Sequence, residues 1–414
     1  MQETSFGYIP THWRISDIIS ETSIVTDYVA NGSFASLAEN VQYKTDKDYA
    51  ILIRLVDYNN HFAGDFIYID EHAYNFLSKS QLFGDEIIIS NVGANVGTVF
   101  KCPRLKNKMA LAPNSIMVKF NGCNDFYYYW LSSPAGQGML QSIVTGSAQP
   151  KFNKTNFRTM SIPVPPLGEQ KMIAAILSSL DEKIETNRKI NARLEELAQA
   201  IFKSWFIDFE PFGGKMPDDW EDVVLSDIGD IIGGATPSKD NPSYYTNAGN
   251  GIAWLTPKDL SETRAKFTDR GNEDITTLGY QKCSARIMPA GSILFSSRAP
   301  IGYISIALNE ICTNQGFKSF VPKKVGTAFA YYLLKILTPE IENKSTGSTF
   351  KEASGALMKS LRTILPDKNT LCKFEKVCNP IFNLQRDCEK ESARLAALRD
   401  TLLPKLMSGE LIPE

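Results

Sequence analysis

Histidine is nearly missing from this chain: His12, His61 and His72 are the only three among 414 residues, and all lie in the first half. A catalytic triad or a zinc site repeated along the chain is thereby excluded. The seven cysteines (Cys102, Cys123, Cys283, Cys312, Cys372, Cys378 and Cys388) form no CxxC pair, and their odd number fits reduced, structural thiols. No uninterrupted apolar run reaches the roughly 20 residues that a membrane span needs. The first twenty residues lack the charged and apolar regions of a secretory signal, so the expected location is cytoplasmic. Neither sign of charge dominates, since 44 Lys and Arg face 46 Asp and Glu for a net −2. A strong, indiscriminate binder of polyanions is not expected from that balance. Chemical motifs are scarce as well. Asn241-Pro242-Ser243-Tyr244 lacks the second proline of an amino-methyltransferase tetrad, and no glycine-rich cofactor loop accompanies it. Gly214-Lys215 has no glycine at the upstream position of a phosphate-binding loop. By itself the chain is expected not to be an enzyme.

What it does contain is itself, twice. Shifted by 201 positions, Thr145-Gly146-Ser147 falls on Thr346-Gly347-Ser348, Pro165 on Pro366, Lys189 on Lys390, and Ala192-Arg193-Leu194 on Ala393-Arg394-Leu395. Near the starts of the halves, Pro10-Thr11-His12-Trp13 matches Pro217-Asp218-Asp219-Trp220. Two equivalent units should bind two similar things, or two halves of one thing. The first unit has short strand-like runs such as Ile51–Leu55, Asp65–Ile69 and Glu86–Ser90, separated by Gly, Asn and Pro. The aromatic block from Phe126 to Leu131 predicts a short packed helix, as Ala328 to Leu337 does in the second copy.

Each copy ends in a long helix. After Pro163-Val164-Pro165-Pro166 the chain carries no Pro or Gly from Glu169 to Phe206, which predicts one helix of about forty residues, roughly 60 Å long. Ile173, Leu177, Leu180, Ile184, Asn187, Asn191, Leu194, Ala198, Ile201 and Trp205 alternate spacings of four and three, the seam of a coiled coil. Phe374, Val377, Ile381, Leu384, Cys388, Leu395, Leu398 and Leu402 form the corresponding stripe. Both stripes turn polar at mid-length, at Asn187 and Asn191 and at Glu391 and Ser392. In an antiparallel pair these interruptions can meet and fix the register; each can equally face solvent.

Positive charge gathers at matching places. From Ile87 to Gly168 eight basic residues face the single acid Asp125, and from Ile275 to Pro339 seven face the single acid Glu310. Two basic faces of this kind are the electrostatic signature of a polyanion, unless acids from elsewhere in the chain neutralise them.

The second globule carries Gly233-Gly234-Ala235-Thr236-Pro237-Ser238, then Ile252-Ala253-Trp254-Leu255-Thr256-Pro257-Lys258-Asp259-Leu260. Gly291 to Arg298, Thr313-Asn314-Gln315-Gly316-Phe317 and Thr346-Gly347-Ser348-Thr349-Phe350 follow, while Pro165-Pro166-Leu167-Gly168-Glu169-Gln170 opens the first long helix. In this order the motifs resemble the DNA-specificity subunit of type I restriction-modification systems, over essentially the whole chain. The first globule departs from the pattern: Asp27 to Phe34 lacks the Thr-Pro element, and Asn114-Ser115 replaces the Asn-Gln pair.

The resemblance implies an α+β protein: two mixed α/β target-recognition domains, 1–162 and 213–366, separated by long helices within 163–212 and 367–414 that pack as an antiparallel coiled coil. Each domain would read one half of a split double-stranded DNA sequence. The helices would dock two modification subunits, which carry S-adenosylmethionine and the adenine-N6 chemistry, and these would recruit restriction subunits. No cofactor is expected on this chain. By polarity, basic context and matching place, the DNA-contacting residues are expected among Gln149, Lys151 and Lys154 in the first domain, and Lys258, Arg298, Gln315 and Lys351 in the second. A tandem coiled-coil scaffold and a stand-alone DNA-binding regulator are the alternatives.

Overall fold

The computed structural model describes residues 1–298, 300–347 and 351–413, so Ser348, Thr349 and Phe350 of the repeated motif lie outside the described residues. The chain divides into two units, residues 1–183 with 394–414, and residues 184–393. Each long helix, Leu167–Phe206 and Lys368–Met407, therefore gives part of its length to each unit.

In the first unit an antiparallel sheet runs in the order Thr22–Asp27, Ser115–Phe120, Ile87–Ser90, Val99–Lys101. A second, mixed sheet orders Ile67–Ile69, Ala50–Ile53, Lys108–Leu111, Gln81–Leu82, with its central pair parallel. Buried Ile87, Ile88, Ile89 and Ile116 show why these runs become strands: β-branched side chains fill both faces of a covered sheet. The expected aromatic helix spans Asn124–Ser132 and buries Phe126, Tyr127, Tyr129, Trp130 and Leu131.

The second unit repeats the plan. A five-stranded sheet orders Gly229–Gly233, Lys318–Pro322, Ile293–Ser297, Ile301–Ala307, Phe267–Thr268, and a four-stranded sheet again contains a parallel pair, Ile252–Leu255 with Cys312–Thr313. Both units are closed by the same two-stranded ribbon just before a long helix, Arg14–Asp17 with Ser161–Val164 and Glu221–Val224 with Arg362–Leu365.

Within each unit the helix segments pair antiparallel. In the second, Asn187 Nδ2 donates to Glu391 Oε2 at 2.8 Å and to Ser392 Oγ at 3.4 Å, and Asn191 Nδ2 donates to the Gln385 carbonyl at 3.2 Å. In the first, Arg399 Nη1 donates to Asp181 Oδ1 at 2.7 Å. The polar interruptions of the two stripes thus meet.

The seam itself needs correction. Ile173, Leu177 and Phe374 are buried, and Leu180, Ile184, Leu194, Ile201, Ile381, Leu395 and Leu402 are half-buried. Val377, Leu384 and Leu398, expected inside, are 40%, 48% and 47% exposed. The inward stripe of the last helix runs instead through Leu371, Phe374, Cys378, Phe382, Gln385 and Cys388. The cause is Gln385, which a hydrophobicity pattern places outside. Its amide is drawn in by a buried ammonium, that of Lys266, and by the Asn191 carbonyl, and this turns Leu384 outward. Pro380 is accommodated on the exposed face of the same helix. Among the described residues no helix is long and apolar enough to cross a membrane.

Candidate nucleic-acid interface

Matching backbone hydrogen bonds hold one equivalent segment in each unit. In the first, Thr145 and Lys151 exchange backbone bonds of 2.8 and 2.9 Å, Gly93 N donates to the Pro150 carbonyl at 2.8 Å, and Phe152 N donates to the Asn91 carbonyl at 3.1 Å. Gly146 makes the turn possible: its φ is +87°, and a Cβ there would stand 2.9 Å from the Gln149 carbonyl oxygen. Gln149 and Lys151 are exposed on this turn. Asn153 then caps the short helix Lys154–Arg158, and Lys154 Nζ lies 3.0 Å from Asp27 Oδ1. Lys154 is therefore neutralised, unlike Lys151.

In the second unit Glu352 N donates to the Thr346 carbonyl at 2.9 Å, Ala353 N donates to the Ser297 carbonyl at 2.9 Å, and Arg298 bridges to Glu352. Ser354 caps the helix Gly355–Ser360. Glu352 thus takes the place of Lys151. Its carboxylate lies 3.4 Å from Lys318 Nζ and 3.9 Å from Arg298 Nη1. The 201-residue offset aligns Lys151 with Glu352 and Pro150 with Lys351, so this sign reversal is readable in the sequence. Ser297 N donates to the Gly316 carbonyl at 2.7 Å, which brings the Gln315 loop beside Arg298. The Thr236 hydroxyl donates to Gln315 Oε1. Gly316 also passes so close to Pro257 that a Cβ would meet its Cγ at 2.8 Å; this places the adjoining Lys258, in the first turn of helix Pro257–Thr263, at the edge of the same group. Lys351 is exposed and donates to the Glu342 carbonyl at 3.5 Å.

The expected basic faces are weaker than the sequence pattern implies. In the first unit Lys101 pairs with Asp125, Arg104 and Lys119 with Asp85, and Lys154 with Asp27; in the second Lys323 pairs with Asp230, Lys318 with Glu352, and Lys335 with Glu195. Except for Asp125, these acids come from outside the two basic stretches. The remaining positive character sits in local clusters rather than broad faces.

A buried charge node anchors the second unit to its helix segments, and sequence reasoning missed it. Lys266 is 8% exposed. Its Nζ donates to Glu195 Oε2 at 2.7 Å on the first long helix, to Gln385 Oε1 at 2.8 Å on the last, and to Tyr332 Oη at 3.1 Å, with the Phe382 ring centroid 3.7 Å away. Burial lowers the Lys266 ammonium to about 8, against the upward pull of Glu195. Burial pushes the Glu195 carboxyl up, and Lys266 and Lys335 more than reverse this, holding it at about 2.

Two copies of one α/β unit, each ending in a segment of paired helix and each carrying a segment held by matching backbone bonds, make a duplicated architecture. The type I restriction modification DNA specificity domain matches residues 32–196 and 217–376. The chain belongs to that family. The MjaIX specificity subunit of Methanocaldococcus jannaschii is 38% identical over 182 residues, 43% of this chain and 41% of that relative. The chain thus spans under half of that relative's length. The MjaVIII specificity subunit of the same organism is 32% identical over 352 residues, 79% of each chain. The crystal structure of a type I specificity subunit from M. genitalium shares the fold, with a TM-score of 0.58 at 16% identity over 97% of this chain and 96% of that one.

Proposed function

We propose that this chain is the non-catalytic, cytoplasmic reading subunit of a type I restriction-modification system. Domains 1–162 and 213–366 each read one half of a bipartite double-stranded DNA target, and the paired helices set the gap. The chain directs two modification subunits to that target. These carry S-adenosylmethionine and methylate adenine at N6, and restriction subunits join them. The observation that supports the reading is the repeated segment: matching backbone bonds hold Lys151, with Gln149 beside it, in one unit and Glu352, with Arg298 and Lys351 beside it, in the other, where the Gln315 loop adjoins. Arg and Gln are the side chains that pair bidentately with G and A in the major groove, whereas Lys holds phosphate. Lys154 and Lys258 sit at the margins and fit backbone contacts.

The test is a map of methylated adenines with this chain and its modification subunit expressed together. Arg298→Ala is expected to degrade one half of the methylated motif and leave the other half intact. Equal loss at every site, or no change, would overturn the assignment of Arg298. Sequence-specific binding by the chain alone, without need of a methyltransferase subunit, would favour a stand-alone regulator.

A further inference from the structure

A cleft of about 990 Å³ lies in the first unit. One wall is the loop and short helix around Phe34, and the other is the turn that carries Lys151. Phe34 opens the helix Phe34–Asn40, capped by Ser33. It is 81% exposed, more than any other large hydrophobic side chain among the described residues. An aromatic ring held in water at the lip of a cleft is unfavourable unless something covers it.

The chemistry of the walls says what fits. Tyr28, Leu37 and Val41 line it with apolar surface and Asn114 adds an amide, while Asn91, whose Nδ2 donates to the Phe152 carbonyl at 3.1 Å, keeps a buried Oδ1 without a partner. Lys151 lines the cleft and has no carboxylate partner among the described residues. Flat apolar surface, amides able to meet a hydrogen-bonding edge, and a free ammonium together match a planar heterocycle attached to a phosphate. The cleft is also ample for one nucleotide. In the second unit the equivalent turn carries Glu352 and Ala353 where the first has Lys151 and Phe152, so an anion is not favoured there in the same way.

We propose that this cleft receives one nucleobase turned out of the DNA stack at the first half-site, with Phe34 stacked on the bases and Lys151 on the adjoining phosphate. The proposal rests on the DNA-reading role above. Unstacking a base is costly, and stacking on an aromatic ring together with a desolvated amide edge offsets it.

The experiment uses the full chain assembled with its modification subunit on duplexes carrying the methylated motif. Each first-half-site purine is replaced in turn by 2-aminopurine and each cytosine by pyrrolo-cytosine, and thymines are probed with permanganate. The expected result is a severalfold rise in fluorescence or reactivity at one position other than the methylated adenine. Phe34→Ala should abolish that rise and weaken binding about tenfold, while Phe34→Trp retains both. Lys151→Gln should weaken binding with a shallower salt dependence. No unstacked position in the first half-site, or a rise unchanged in Phe34→Ala, overturns the inference while leaving the DNA-reading role intact. Absence of any sequence-specific methylation would instead remove the role and the inference together. Because Phe34 is exposed, its replacement should leave the unfolding midpoint unchanged.

Discussion

Lys266→Met removes an ammonium but keeps an unbranched chain of similar volume against Phe382. Glu195 then loses its 2.7 Å partner, and Gln385 and Tyr332 lose the group they bind. Removing one member of a buried ion pair typically costs 3–5 kcal/mol. Lys335 still pairs with Glu195, so the lower end applies, about 3 kcal/mol. For a unit of this size that is a fall of roughly 6–12 °C in the melting temperature of its transition, followed by scanning calorimetry. Pairing Lys266→Met with Glu195→Gln should recover part of the loss, since the carboxylate that has lost its buried partner and keeps only Lys335 is then removed as well. Acid titration gives an independent reading. The Glu195 carboxyl sits at about 2 in the fold, below its ordinary 4.5, so its stabilisation is present above pH 4.5 and lost as pH falls toward 2. For Lys266, held at about 8 rather than 10.5, the unfolded chain binds more protons between those values, so stability rises with pH across that window. A loss below about 1 kcal/mol, or strictly additive single changes, would refute the view of this node as a buried anchor.

Two further outcomes follow from the paired helices and the second turn. Asn187 is buried with its Oδ1 unpartnered, so Asn187→Leu should raise the unfolding free energy by about 1 kcal/mol, read from denaturant titration, while loosening helix register, checked by cysteine cross-linking between the helix segments. Glu352→Gln releases Lys318 and Arg298 from their shared carboxylate; DNA binding by the assembled complex should then show a steeper salt dependence, by about one to two phosphate contacts.

The long helices were legible because an absence of Pro and Gly over some forty residues, joined to a 3–4 periodicity, leaves little else for the chain to do. The meeting of Asn187 with Glu391 and Ser392 was legible for a related reason: polar residues interrupting an apolar stripe seek one another. The face of the last helix was not. Periodicity fixes a stripe only to within one residue's rotation, and a single buried lysine, remote in sequence, drew Gln385 inward in place of Leu384. The basic stretches misled similarly, because Asp27, Asp85, Asp230 and Glu195 reach them from outside the stretches counted. The turn geometry at Thr145–Lys151 needed coordinates, although the offset alone placed Glu352 opposite Lys151.

The discontinuity of the first unit bears on how the chain is made. Residues 184–393 form an uninterrupted stretch and hold everything their core requires as they leave the ribosome. The first unit has no such freedom, for Leu406 and Met407 complete the core around Trp13, Ile173 and Leu177. The amino-terminal half must wait, with part of its apolar face uncovered, until residues 394–407 have been made. A ribosome stalled just short of that segment would release a product folded in its second half and open to proteases in its first.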